Sequence, residues 1–143
     1  MIYLDTSALL ALYREEPLTP AAERLLESSD TAPSISTLVQ VEAASVLARW
    51  LRTGEMSSQQ TRAVEHALAA DVEADEFHTI SMPEACYWGA RHRLTRQTTA
   101  LRTLDALHLA CATHHGLTLA TGDRTLAAAA DTLTVPCTWL QPA

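Results

Sequence analysis

Four acidic residues stand where carboxylates do chemistry: Asp5, Glu42, Asp105 and Asp123. Asp5 follows the apolar run Ile2–Leu4, and Asp123 follows Leu117–Thr121. Each therefore lies just past the carboxyl end of a predicted strand, where open parallel sheets gather their ligands. Each also precedes a predicted helix, and capping that helix is the alternative role. Glu42 sits on the edge of an apolar helical stripe formed by Val39, Ala43, Val46, Leu47 and Trp50. A half-buried carboxylate there costs several kcal/mol unless it is paired or bound. Asp105 lies in Leu104–Ala110, a predicted helix apolar on nearly every face. Its alternative role is that of a first-turn acid favoured by the helix dipole. Converging carboxylates repel one another and need protons, arginines or divalent cations. All four are hard oxygen donors with no Cys or His at zinc spacing beside them, so Mg²⁺ or Mn²⁺ is the expected ion. Such ions bind phosphate oxygens, activate water and stabilise the leaving oxygen of a phosphodiester.

Other reactive side chains point nowhere as clearly. The six His form no HExxH or HxxxH pair, and no Ser lies in a GxSxG turn. His108 follows Asp105 by three residues, at packing or hydrogen-bonding distance from it. Cys86, Cys111 and Cys137 have no zinc-type spacing, and their apolar neighbours mark buried free thiols in a reducing compartment. Trp50, Trp88 and Trp139 read as core or interface anchors, with base stacking the alternative role. Arg91, Arg93, Arg96 and Arg102 cluster just ahead of Asp105. They form either a solvated face or a phosphate-positioning patch beside the acids.

The elements that must position these residues alternate along the chain. Strands are predicted at Ile2–Leu4, Thr31–Ile35, Phe77–Ser81, Leu117–Thr121 and Thr132–Trp139, the last an edge strand because it carries Pro136. Between them lie helices from Thr6 to Tyr13 or Arg14, Ala21–Glu27, Ser36 or Thr37 to Arg52, Ser57 or Ser58 onward, Met82 to Arg96, Thr103–His115 and Asp123–Ala130. Gly54 and Gly116 stop two of them. This alternation predicts an α/β sandwich with a mostly parallel sheet in one domain spanning residues 1–143.

Composition narrows the class. The 143 residues are 48% hydrophobic, with 25 Ala and 21 Leu but only 5% aromatics, which favours closely packed helices. All ten basic residues are Arg, so neither a P-loop lysine nor a Schiff-base lysine exists. A net charge of −7 argues against a general nucleic-acid coat or an anionic-membrane binder, while a local cationic site survives. The opening MIYLD has no charged n-region, and no apolar run spans a bilayer. A cytoplasmic protein is expected.

Ile2-Tyr3-Leu4-Asp5-Thr6-Ser7-Ala8-Leu9, Val41-Glu42-Ala43-Ala44, Arg102-Thr103-Leu104-Asp105-Ala106-Leu107-His108-Leu109-Ala110 and Thr121-Gly122-Asp123, in that order, closely resemble the PIN-domain nucleases. Among these, the sequence looks most like the VapC-type toxins of toxin–antitoxin pairs. The resemblance implies a three-layer α/β/α sandwich and a ribonuclease that uses Mg²⁺ or Mn²⁺. Asp5, Glu42, Asp105 and Asp123 match the family's acidic positions, and Thr6, Ser7 and Thr121 match hydroxyls that orient the acids or a metal water. It also implies a cognate antitoxin, an RNA substrate and a homodimer. The departures are the missing lysines and the acidic total.

Three other readings compete: a PIN ribonuclease of RNA maturation or decay, a non-catalytic binding module, and a phosphotransferase of the HAD type. The last needs a second Asp two residues after Asp5, where Ser7 stands.

Overall fold

A computed structural model describes residues 1–96 and 98–143. Five strands, β1 (Ile2–Leu4), β2 (Ser34–Ser36), β3 (His78–Ile80), β4 (Thr118–Thr121) and β5 (Cys137–Trp139), form one sheet in the order β3-β2-β1-β4-β5. Every neighbouring pair is parallel, with Tyr3 opposite both Ser34 and Leu119. The inner strands are covered on both faces, so Tyr3, Leu4, Ile35, Leu119 and Ala120 are all buried, as a continuous apolar run in a parallel strand requires.

Among the described residues seven helices connect the strands: α1 (Thr6–Leu10), α2 (Thr19–Glu27), α3 (Thr37–Thr53), α4 (Ser58–Glu73), α5 (Glu84–Thr95), α6 (Thr103–His115) and α7 (Arg124–Thr132). The chain steps from β1 outward to β2 and β3, then jumps back past them to β4 and on to β5. Right-handed crossovers in these two directions place α1–α4 on one face and α5–α7 on the other. The expected three-layer α/β/α architecture results.

Small residues permit this packing. Ala8, Ala11, Ala43, Ala106, Ala110, Ala112, Ala129 and Ala130 are buried in the core with Leu9, Val39, Leu109 and Leu126. Local signals also act as the sequence suggests. Ser36 caps α3 by accepting from the Val39 amide, Ser57 and Gln60 make a capping box on α4, and Gly54 and Gly116 adopt left-handed conformations at the ends of α3 and α6.

Some boundaries differ from expectation. The second strand is Ser34–Ser36, because the buried Ser36 hydroxyl finds a partner in Tyr3 and then caps the next helix. The first helix ends at Leu10, where the Thr19 hydroxyl donates to the carbonyls of Ala11 (2.7 Å) and Arg14 (3.3 Å) and turns the chain. The last strand is only Cys137–Trp139, because α7 continues to Thr132 and Thr134 takes a φ of 57°. It is an edge strand, as Pro136 predicts. Among the described residues no helix is long and apolar enough to cross a membrane.

Candidate active site

Strands β1 and β4 are neighbours whose following connections leave toward opposite edges of the sheet. A crevice opens at their carboxyl ends for that reason. A cleft of about 430 Å³ occupies this place, and Asp5, Glu42, Asp105 and Asp123 all line it. Four positions scattered through the chain therefore converge. The two roles considered for the strand-end acids coexist. Asp5 Oδ1 accepts from the Ala8 amide (2.9 Å) and caps α1, and Asp123 Oδ1 accepts from the Thr125 and Leu126 amides (2.8 and 3.2 Å) and caps α7. The second oxygen of Asp5 is held by Thr121, and that of Asp123 faces Arg102 at 3.9 Å.

The hydroxyls named from sequence sit where they orient these acids. Ser7 donates to Asp5 Oδ1 (2.7 Å) and Thr121 to Asp5 Oδ2 (2.5 Å), while Thr6 donates to Glu42 (3.0 Å). Thr121 Oγ1 also accepts from the Asp123 amide (3.0 Å), and Ser7 Oγ from the Gly122 amide (3.0 Å). Two side chains thus tie the ends of β1 and β4 into one rigid mouth.

Burial sets the electrostatics. It raises the Asp5 carboxyl above its ordinary pKa, against the lowering effect of the Thr121, Ser7 and Ala8 hydrogen bonds. Asp105 is also raised, first by burial and then by the charge of Asp123, with Arg102 opposing. Its Oδ2 is buried without a hydrogen-bond partner. Glu42 moves the other way: burial would raise it, but the hydrogen bond and charge of His108, with Thr6, hold it below its ordinary value. As the side chains stand, no three His, Cys, Asp or Glu groups among the described residues close around a point that would hold a metal ion. Arg102 instead spans two of the acids, with Nε 3.6 Å from Asp105 and a terminal nitrogen 3.9 Å from Asp123.

Sequence reasoning understated His108. It is buried at 3% exposure, and its two ring nitrogens meet Tyr3 (2.7 Å) and Glu42. A carboxylate only accepts, so Nε2–H donates to Glu42, and the other ring nitrogen, Nδ1, shares a hydrogen bond with the Tyr3 hydroxyl. The Tyr3 hydroxyl also shares a hydrogen bond with that of Ser36 (2.8 Å). The signal was the spacing from Asp105 to His108, one turn of helix. Leu18, Arg49 and a fifth carboxylate, Glu16, also line the cleft and had no local sequence signal, whereas Trp50 arrives there on the stripe of α3.

The four arginines of the cluster do not converge on one place. Arg102 alone of the four lines the cleft. Arg93 folds back to donate to the Gly89 carbonyl (3.1 Å) and Thr113 (3.0 Å), and Arg91 borders a separate apolar groove between α5 and α6. Arg96 is exposed at the end of α5. Cys86 and Cys111 are buried free thiols as expected, and Cys137 is a half-buried one. Trp88 and Trp139 are exposed, so only Trp50 among the three packs against the core.

The sequence pattern of the PIN domain matches residues 2–132. The chain belongs to the PIN-domain family. Solved structures share the fold of this PIN domain at low identity. FitAcB from Neisseria gonorrhoeae superposes with a TM-score of 0.74 at 22% identity, covering 96% of each chain. VapBC2 from Rickettsia felis, bound to a DNA fragment from its promoter, gives 0.69 at 17% over the whole of both chains. VapC20 from Mycobacterium tuberculosis, a toxin that cleaves the sarcin–ricin loop, gives 0.67 at 19%, covering 90% of this chain and 95% of its own. No curated protein sequence matches this one significantly.

Proposed function

We propose that this PIN domain is a metal-dependent endoribonuclease and the toxin of a toxin–antitoxin pair. The observation that carries the reading is the convergence of Asp5, Glu42, Asp105 and Asp123 on one cleft at the sheet's switch point. The buried Asp105 oxygen that accepts no hydrogen bond, together with the carboxylates around it, suits a hard divalent cation, Mg²⁺ or Mn²⁺. Asp5, Asp105, Asp123 and Glu42 would hold it. Once bound, such an ion supplies Lewis-acid stabilisation of a phosphodiester and a more acidic water.

The chain's own residues do the positioning. Thr121 and Ser7 lock Asp5, and Thr6 and His108 lock Glu42, so two carboxylates meet the substrate without reorganising. One of the four acids would also orient the attacking water. Arg102, which bridges Asp105 and Asp123, is placed to turn toward a phosphate oxygen when substrate enters. Water would attack phosphorus as the P–O bond to the leaving ribose oxygen breaks and that oxygen takes a proton from solvent, with no covalent enzyme intermediate.

Partner and setting rest on the structural relatives, several of which are toxin–antitoxin complexes. A cognate antitoxin, a homodimeric toxin and a cytoplasmic location complete the reading. The test is cleavage of single-stranded RNA in Mg²⁺ or Mn²⁺ by nuclease-free protein. Asp5→Asn and Asp105→Asn should abolish it with the fold intact. A variant that cleaves at the wild-type rate would sink the assignment, and a chain whose expression leaves growth unaffected would sink the toxin role.

A further inference from the structure

The cleft continues beyond its acids along α3. Glu42, Val46, Arg49 and Trp50 stand four, seven and eight residues apart on that helix and all line the same cavity, so one helical face forms its wall. From Glu42 to Trp50 the wall runs about 12 Å at 1.5 Å per residue. Leu10 and Leu18 line the same cavity. The lining therefore changes character, from carboxylates at Glu42 to an apolar surface with one cation two turns on. Arg49 is exposed and, among the described residues, enters no ion pair, unlike Arg102. Trp50 is held in place by the Arg14 guanidinium, which lies 4.3 Å from its ring centroid.

An apolar slot beside an uncommitted guanidinium, continuous with a phosphodiester-cleaving centre, matches a nucleotide: a flat apolar base and an adjoining phosphate. We propose that Val46, Trp50 and Leu18 receive one base of a single-stranded RNA next to the scissile phosphate, and that Arg49 binds a neighbouring phosphate. This inference rests on RNA being the substrate. It makes these residues the ones that set substrate preference, in place of the arginines of α5.

The experiment uses the full chain carrying Asp105→Asn, to suppress turnover, in Mg²⁺, with a fluorescein-labelled decanucleotide RNA of mixed sequence. Arg49→Glu, at an exposed position, should weaken binding at least about fivefold. Arg49→Ala should flatten the dependence of log affinity on log salt by about 0.7. With Trp88 and Trp139 changed to Phe, Trp50 is the only indole, and its fluorescence should be quenched by the RNA and less by an abasic RNA of equal length. In the active protein, Arg49→Ala should raise KM with kcat nearly unchanged, and Val46→Ala should alter the base preference at cleavage sites read by sequencing the products.

Unchanged binding and salt slope in the Arg49 variants, or a Trp50 signal indifferent to the RNA, would overturn the nucleotide seat. So would loss of a protein partner, and not of RNA, in Arg49→Glu. The two readings fail separately. A protein that cleaves RNA with Arg49 and Val46 variants unaffected keeps its nuclease role and loses this seat. A protein that binds RNA through Arg49 and Trp50 but never cleaves keeps the seat and loses the nuclease role.

Discussion

His108 holds Glu42 through a hydrogen bond between Nε2 and Oε1, across 66 positions of sequence. The bond ties the core helix α6 to α3 and extends through the imidazole to Tyr3 and Ser36. A buried network in which each member has a partner is rigid, and it is costly to break at one point. His108→Ala would strand the Tyr3 hydroxyl and the Glu42 carboxylate and leave a void, costing about 2–4 kcal/mol in urea unfolding. Tyr3→Phe keeps the Glu42 bond and should cost about 1–2 kcal/mol. Equal, near-zero effects would show that the network does not carry stability.

Asp105 and Asp5 are both buried acids with raised pKa, yet neutralising them should differ. Asp5 has hydrogen-bond donors from Thr121, Ser7 and Ala8, which Asn satisfies only in part. Asp105 has an oxygen with no such partner. Without metal at neutral pH, Asp105→Asn should raise Tm by about 2–4 °C, and Asp5→Asn should raise it less or not at all. Differential scanning calorimetry in EDTA decides this.

The same acids fix the sign of a pH effect. Between the ordinary Asp value of 3.8 and the raised native value, the folded state binds more protons than the unfolded one. Stability contributed by these groups therefore falls as pH rises through that window and is regained on acidification. Glu42 opposes this only near and below its ordinary 4.5, because its native value is lowered. As pH falls from neutrality through the raised Asp105 value toward 3.8, the Tm advantage of metal-free Asp105→Asn over wild type should shrink. A constant difference would refute the raised value.

Gly122 lies against Leu18: a Cβ there would sit 2.3 Å from Leu18 Cδ1. The obstacle is the tip of a side chain, so Gly122→Ala should displace Leu18 and cost about 1–2 kcal/mol. Leu18→Ala in the same chain should recover most of that. A double-mutant cycle with no coupling would count against the contact.

Arg93 and Arg102 should separate cleanly. Arg93 spends its donors on Gly89 and Thr113, whereas Arg102 lines the cleft. Arg93→Ala should lower Tm and leave the salt dependence of RNA binding unchanged; Arg102→Ala should flatten that slope by about 0.7. Equal slopes for both would restore a four-arginine patch.

What the sequence by itself determined was local. Asp5 and Asp123 stand after apolar runs and ahead of helices, so strand end, cap and acid are all legible within a few residues. Glu42 is legible from the 3.6-residue period of α3, and Asp105 from a helix with no wet face. Only the tertiary structure decided which distant groups meet. Arg91 and Arg102 are neighbours in the sequence, but α5 turns one toward a separate groove while the chain entering α6 brings the other to the acids. Arg49 joins the cleft because α3 runs along it, and Tyr3 reaches His108 because β1 lies beneath α6. No periodicity or cap encodes such meetings. They follow from the packing of two helical layers on a parallel sheet, where crossover handedness sets the side on which each helix lies.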